Sequence, residues 1–127
     1  MKKVIYIAGP MRGLPESNYP QFENVARFLR SEGWDVCSPV EIGSVFGTAD
    51  ELNANPTRLA VSMEAERDAL RTSCDAILLL PGWERSKGTR AELIIALEKN
   101  LEIITFCELM QKPYLYTPEK AEMKIGE

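Results

Sequence analysis

The stretch "AILLL" at residues 76–80 constrains the chain more than any other, because five consecutive apolar residues leave no polar position for solvent. A strand that alternates can lie on a half-wet sheet, whereas one that is apolar throughout has to be covered on both faces. Such strands belong to parallel sheets sandwiched between helices. The run stops at Pro81-Gly82, crosses a polar loop, and opens a helix with "SKGTRAE" at residues 86–92. Loops at the carboxyl ends of parallel strands are where α/β proteins commonly bind ligands.

The remaining segments repeat this alternation. "KVIYIA" at residues 3–8 reads as a buried strand ended by Gly9-Pro10, followed by the long turn "GPMRGLPESNYP". A helix then starts near Asn18, with Phe22, Val25, Ala26, Phe28 and Leu29 on one face and Gly33 as its stop. "WDVCSP" is a second, short strand, and residues 40–56 form an irregular connection with room for one helical turn. Asn55-Pro56 supplies an N-cap and a first-turn proline for a second helix, whose expected buried stripe is Leu59, Ala60, Met63 and Leu70. A third helix runs from Gly88 to about Lys99 with Ala91, Ile94 and Ile95 expected inward, and "EIITF" is a fourth strand. The tail from Glu108 onward offers a fifth strand at "PYLYT" and a short terminal helix.

The order βαβαβαβ implies right-handed crossovers. The expected fold is therefore a three-layer α/β domain spanning residues 1–127, with a mainly parallel four- to five-stranded sheet and helices on both faces, Rossmann- or flavodoxin-like.

Composition narrows the chemistry. The chain of 127 residues carries a net charge of -4 and contains no histidine. Ser-His-Asp and Cys-His catalysis, His-ligated metals and a histidine base are therefore excluded for this chain. The acidic balance argues against a nucleic-acid polymer as partner. Cys37, Cys74 and Cys107 show no CxxC spacing, which points away from a disulfide framework or a zinc site and toward a reducing, cytoplasmic setting. The first apolar run is too short for a signal peptide and no segment suits a membrane span, so no membrane partner is expected. Neither a cofactor nor a metal is called for.

Two strand ends should converge on one edge, since the first and third strands are expected to be neighbours. One loop brings Arg12 and the backbone of Gly9 and Gly13; the other brings Ser86, Gly88 and Thr89 at a helix start. Free amides at a helix N-terminus beside an arginine suit an anion, phosphate above all. The plainer alternative is that the glycines serve tight turns and Arg12 is solvated. Glu92 is expected one turn into the third helix, facing the same crevice, or else as the partner of Thr89 in a T-x-x-E capping box. Asp68 reads equally as a solvated helix residue, and Tyr6 as a core aromatic with its hydroxyl satisfied at the strand end.

"YIAGPMRG", Asp68 and "SKGTRAE", in that order, resemble the nucleoside 2-deoxyribosyltransferase superfamily, especially the 2′-deoxynucleoside 5′-monophosphate N-glycosidases and short phage and bacterial proteins of unassigned function. Tyr6, Gly9, Arg12, Gly13, Asp68, Ser86, Gly88 and Glu92 stand at the matching positions, and the resemblance covers roughly residues 3–106. It implies Glu92 as a nucleophile at the anomeric carbon, Asp68 as the second carboxylate, and Tyr6 positioning Glu92 or the sugar. Gly9, Arg12, Gly13, Ser86 and Gly88 would bind the substrate, with Arg12, Ser86 and Gly88 on a 5′-phosphate. Pro10 departs from the pattern, standing where the phosphate-specific relatives carry serine. "PGW…S.GT..E" resembles, more loosely, the cytokinin-activating phosphoribohydrolases, so ribose and deoxyribose both stay open.

The expected activity is cleavage of the N-glycosidic bond of a nucleoside or its 5′-monophosphate. The alternatives are a base-exchanging deoxyribosyltransferase, a non-catalytic nucleotide sensor or sponge, and an α/β interaction protein without such a ligand. The resemblance also implies a homodimer. Trp34, Trp83 and Phe46 are expected to be partly exposed.

Overall fold

The computed structural model describes residues 3–111. The expected strand at "PYLYT" and the terminal helix lie outside those residues. Four parallel strands, β1 (Val4–Ala8), β2 (Asp35–Cys37), β3 (Ala76–Leu79) and β4 (Glu102–Thr105), form one sheet in the order β2-β1-β3-β4. Tyr6 pairs with Cys37 on one side and with Ile77 on the other. The helices are α1 (Tyr19–Ser31), α2 (Pro39–Gly43), α3 (Ala49–Ala54), α4 (Pro56–Ser73), α5 (Lys87–Glu98) and α6 (Phe106–Gln111). This is the three-layer, Rossmann-like α/β arrangement that the sequence implies. The strand order reverses between β1 and β3, and the crevice outside their carboxyl ends is the usual ligand position in such a sheet.

Alternate residues of each strand serve opposite faces. Ile5 and Ile7 of β1, with Leu78 and Leu80, bury against Phe22, Val25, Ala26 and Leu29 of α1. Tyr6, Ala8, Ile77 and Leu79 point the other way, toward Leu70 of α4 and Ala96 of α5.

Several expectations need correcting. Trp34 is 1% exposed, not a surface residue. Gly33, at φ 96°, ends α1 in the left-handed region, and the Trp34 amide donates to the Leu29 carbonyl at 3.1 Å while that of Gly33 donates to Arg30. This helix stop turns the indole back into the core beside Leu29. Residues 40–56 hold two short helices rather than a single turn, and α3 begins with a capping box between Thr48 and Glu51. "EIITF" ends one residue early, because Phe106 opens α6.

Asn55 caps α4 as expected, its side chain accepting from the Arg58 amide at 3.0 Å. Of the expected inward stripe of α4, Leu70 is buried and Leu59 and Met63 are half-buried, whereas Ala60 is exposed; Ser62 is buried in addition. Midway between Ser62 and Leu70, four residues from each, comes Glu66. On α5, Ile94 is 55% exposed, and the buried stripe is Thr89, Glu92 and Ala96. In both helices polar residues occupy part of the face that packs inward, beside the aliphatic ones.

Candidate active site

The crevice is built from three elements. β1 carries Tyr6 into the layer under α4 and α5, where it is wholly buried. α5 begins beyond the β3 loop, and its first turns bring Glu92 to the same layer with 9% exposure. The Tyr6 hydroxyl donates a hydrogen bond to Glu92 Oε2. From α4, Glu66 contributes a second, largely buried carboxyl group, whose Oε2 accepts from Ser62 Oγ at 3.1 Å.

The electrostatics follow from this burial. Desolvation, with a smaller contribution from the Glu66 charge, raises the Glu92 carboxyl against the opposing Tyr6 hydrogen bond and Arg67 guanidinium, to about 8 in all. Glu66 is pushed up to about 7 by burial, opposed by Ser62 and Arg67. Burial, and then the charges of Glu92 and Glu66, hold the Tyr6 phenol well above its ordinary range. Glu66 and Glu92 are thus two carboxyls whose hold on a proton is raised by burial within one crevice. The Arg67 guanidinium acts on both carboxyls, and pairs with Glu64 at 3.9 Å.

Of the residues that the sequence singles out, Tyr6 and Glu92 are brought together. Asp68 is not. Two residues on from Glu66, it lies about 200° around the helix, 65% exposed, and accepts from Arg71 Nη1 at 3.0 Å. Glu66 occupies the inward position that Asp68 was expected to fill. The signal that could have found it is helical phase: Ser62, Glu66 and Leu70 share a face, while Asp68 shares one with Glu64 and Arg71.

The loops converge as expected. Gly82, at φ 86°, lies so close to Pro10 that an added Cβ would come within 3.3 Å of the proline ring. Gly9 serves close packing, since a Cβ there would stand 2.7 Å from Leu80 Cβ. Gly13 sits at φ 80° in the turn. Arg12 is exposed and makes no ion pair among the described residues. Ser86 is the N-cap of α5, accepting from the Thr89 amide at 3.2 Å and from Thr89 Oγ1 at 3.0 Å. The Thr89–Glu92 capping box is therefore not formed; Thr89 lies inside the helix and Glu92 is free to face Tyr6. The Ser86 hydroxyl proton stays available to an acceptor. At Gly88 an added Cβ would come no closer than 4.0 Å to Ser86, so packing does not demand glycine there.

A separate surface hollow of about 640 Å³ is lined by Val45, Phe46, Gly47, Asn55 and Arg58, and shares no residue with the crevice. Among the described residues, no helix is long and apolar enough to cross a membrane. A family model described as "Domain of unknown function (DUF4406)" matches residues 3–105. No curated protein matches the chain.

Proposed function

The chain belongs to the DUF4406 family, whose description assigns no activity, and from the crevice itself we propose that it cleaves the N-glycosidic bond of a nucleoside or nucleoside 5′-monophosphate. The observation that carries this reading is the buried Glu92 carboxyl, hydrogen-bonded by Tyr6 and paired with Glu66, at the point where the strand order reverses. The motif resemblance to nucleoside 2-deoxyribosyltransferases and N-glycosidases supports it.

The chemistry needs Glu92 anionic and Glu66 protonated, which is the minor of the two one-proton forms because Glu92 holds its proton more tightly than Glu66, so turnover runs through that minority form. Glu92 attacks the anomeric carbon as the C–N bond breaks, and its charge stabilises the oxocarbenium-like transition state. The bond's electron pair leaves with the base, which takes a proton from Glu66. Water then attacks the glycosyl ester, Glu66 removes its proton, and Glu92 is released. Tyr6 orients Glu92 and stabilises its anionic form. The amides opening α5, with Ser86 and Arg12, suit a 5′-phosphate, while Pro10 offers it neither a hydroxyl nor an amide. Hydrolysis is favoured over base transfer. A homodimer closing over Ile94 and Leu97, each 55% exposed on α5, is proposed with it and is checked by sedimentation.

One observation favours a second reading. With its carboxyl pushed up to about 8, Glu92 in the free protein is largely protonated at neutral pH and can donate a hydrogen bond. That suits a nucleotide sensor or sponge. Chromatographic detection of free base from ribo- and deoxyribonucleosides and their 5′-monophosphates separates the two. Release by wild type but not by Glu92→Gln supports the glycosidase; tight binding by both proteins without release supports the sensor.

A further inference from the structure

Of the two residues that α4 buries, one is Leu70 and the other is Ser62, at 0% exposure. A serine is no asset inside a helix, and a hydroxyl taken out of water opposes folding unless it is hydrogen-bonded. Glu66, one turn on, supplies the partner: Ser62 Oγ donates to its Oε2 at 3.1 Å. A spacing of four residues brings the two side chains together on one face. From the other side α2 covers the hydroxyl. Gly43 is buried there, and a Cβ added to it would stand 3.4 Å from Ser62 Oγ and 3.6 Å from Leu52 of α3. Among the described residues the Ser62 hydroxyl has no hydrogen-bond partner but Glu66.

This closure decides which carboxyl oxygen carries the proton. The hydroxyl has one hydrogen to donate. With a proton on Oε1, Oε2 is a carbonyl oxygen and accepts from Ser62 as it does when Glu66 is anionic. With the proton on Oε2 instead, that O–H would have to donate to Ser62, and the serine hydrogen would be left in a closed site without an acceptor, which is unfavourable. Oε1 makes no hydrogen bond among the described residues. Every fully buried side-chain oxygen among them has a partner, so Oε1 is open to the crevice.

We propose that Ser62 is a positioning residue for Glu66: its hydroxyl holds Oε2 in place and leaves Oε1 as the oxygen that exchanges protons with the leaving base and with water. This rests on the glycosidase reading. As the C–N bond breaks, its electron pair leaves with the base, which takes the proton from Oε1; the carboxylate left behind keeps the Ser62 hydrogen bond on Oε2. The attacking water then returns a proton to Oε1, and Ser62 keeps its own throughout. Donation to the anion also weakens the hold on the proton, so Ser62, with Arg67, restrains the effect of burial on Glu66, which stands at about 7. The other titratable groups coupled to Glu66 are Glu92 on α5, Tyr6 on β1 and Tyr19 at the start of α1. From α2 and α3, which also pack on α4, come Gly43 and, next to it, Leu52.

The test is a pH profile. Activity requires the pair to hold one proton, so kcat/KM falls at low pH as a second is taken up, mainly by Glu66. In Ser62→Ala this acid limb should move up by as much as about one pH unit, the equivalent of one hydrogen bond, while the alkaline limb moves less. Ser62→Thr keeps the hydroxyl and should keep the wild-type limb. Carbon-13 NMR of the glutamate carboxyls follows the same shift without turnover. At the optimum, Ser62→Ala should lower kcat/KM about 3- to 10-fold on the nucleoside or nucleotide that wild type cleaves fastest. The 4-nitrophenyl glycoside of the same sugar, whose nitrophenolate departs without a proton, should stay within about twofold. An acid limb that stays put, equal losses on both substrates, or a Ser62→Thr limb displaced like that of Ser62→Ala overturns the assignment. If Ser62→Ala does not fold, Ser62→Cys, which fills the site with a weak donor, carries the same expectation. Wild type that cleaves neither substrate takes down the glycosidase reading and this inference with it; an unmoved Glu66 titration beside an active wild type overturns the role of Ser62 alone.

Discussion

The two faces of the sheet are built from the same strands and differ in kind. Under α1, the described residues bury thirteen side chains, from Ile5 to Leu109, without a titratable group among them. Under α4 and α5 the buried cluster has six members, one of them Tyr6. Around it stand Glu66 and Glu92, together with Cys37, whose thiol is lowered by its neighbour Cys74. The first face removes apolar surface from water and stabilises the fold. The second takes charge out of water, which opposes folding unless the group stays protonated. Buried titratable groups are therefore concentrated where stability is poorest, and the apolar face has to offset them.

The largest effect that would sharpen this contrast is on catalysis. Glu92→Gln is expected to lower base release by about 10³-fold or more, as loss of a nucleophile does, read by chromatography on the best substrate. The same variant should be more stable than wild type at high pH. Below the unfolded value of 4.5, folded and unfolded chains both hold the Glu92 proton; between 4.5 and about 8 only the folded chain does, so stability falls as pH rises through that window. A shift of this size corresponds to roughly 5 kcal/mol, of which glutamine should recover part. Thermal melts should show little difference between the two proteins at pH 5 and a raised midpoint for the variant at pH 8.5. A variant less stable than wild type at pH 8.5 would break the contrast.

On the apolar face the sign reverses. Phe22→Ala should cost about 3–5 kcal/mol at any pH, through lost transfer energy and a cavity, measured by urea unfolding. Glu66→Gln should lower turnover by about 10²- to 10⁴-fold. Wild-type kcat/KM should be bell-shaped, highest between the values near 7 and 8 of Glu66 and Glu92, where the pair holds one proton; the variant should lose one limb. The smallest effect belongs to Asp68→Asn. With an exposed side chain paired to Arg71, it should change stability by less than about 0.5 kcal/mol and leave base release unaltered. A strong activity defect there would place the second carboxylate outside the buried layer.

Much of this was legible in the chain. "AILLL" and "KVIYIA" cannot be solvated on either side, so a parallel sheet between helices follows. The Gly9-Pro10 and Pro81-Gly82 breaks mark the edge where the loops meet, and Asn55-Pro56 marks the start of α4. Tyr6 and Glu92 were both identifiable from their motifs, although nothing local showed that one hydrogen-bonds the other across 86 positions.

What the sequence could not convey is rotation. Local pattern fixes where α4 and α5 begin and that each has an inward face. Which face turns inward depends on how the helix packs on β1 and β3. A turn of 100° per residue separates Glu66 from Asp68, and Ile95 from Ile94, so a small change in helix phase exchanges a buried carboxyl for a solvated one. Aliphatic spacing does not point to the carboxyls because the inward stripes also contain Ser62, Glu66, Thr89 and Glu92, polar residues that burial normally excludes. Composition and periodicity determined the layers and the edge that bears the site; only tertiary packing decided which carboxyls share it, because burial and charge coupling are properties of contacts between segments distant in the chain.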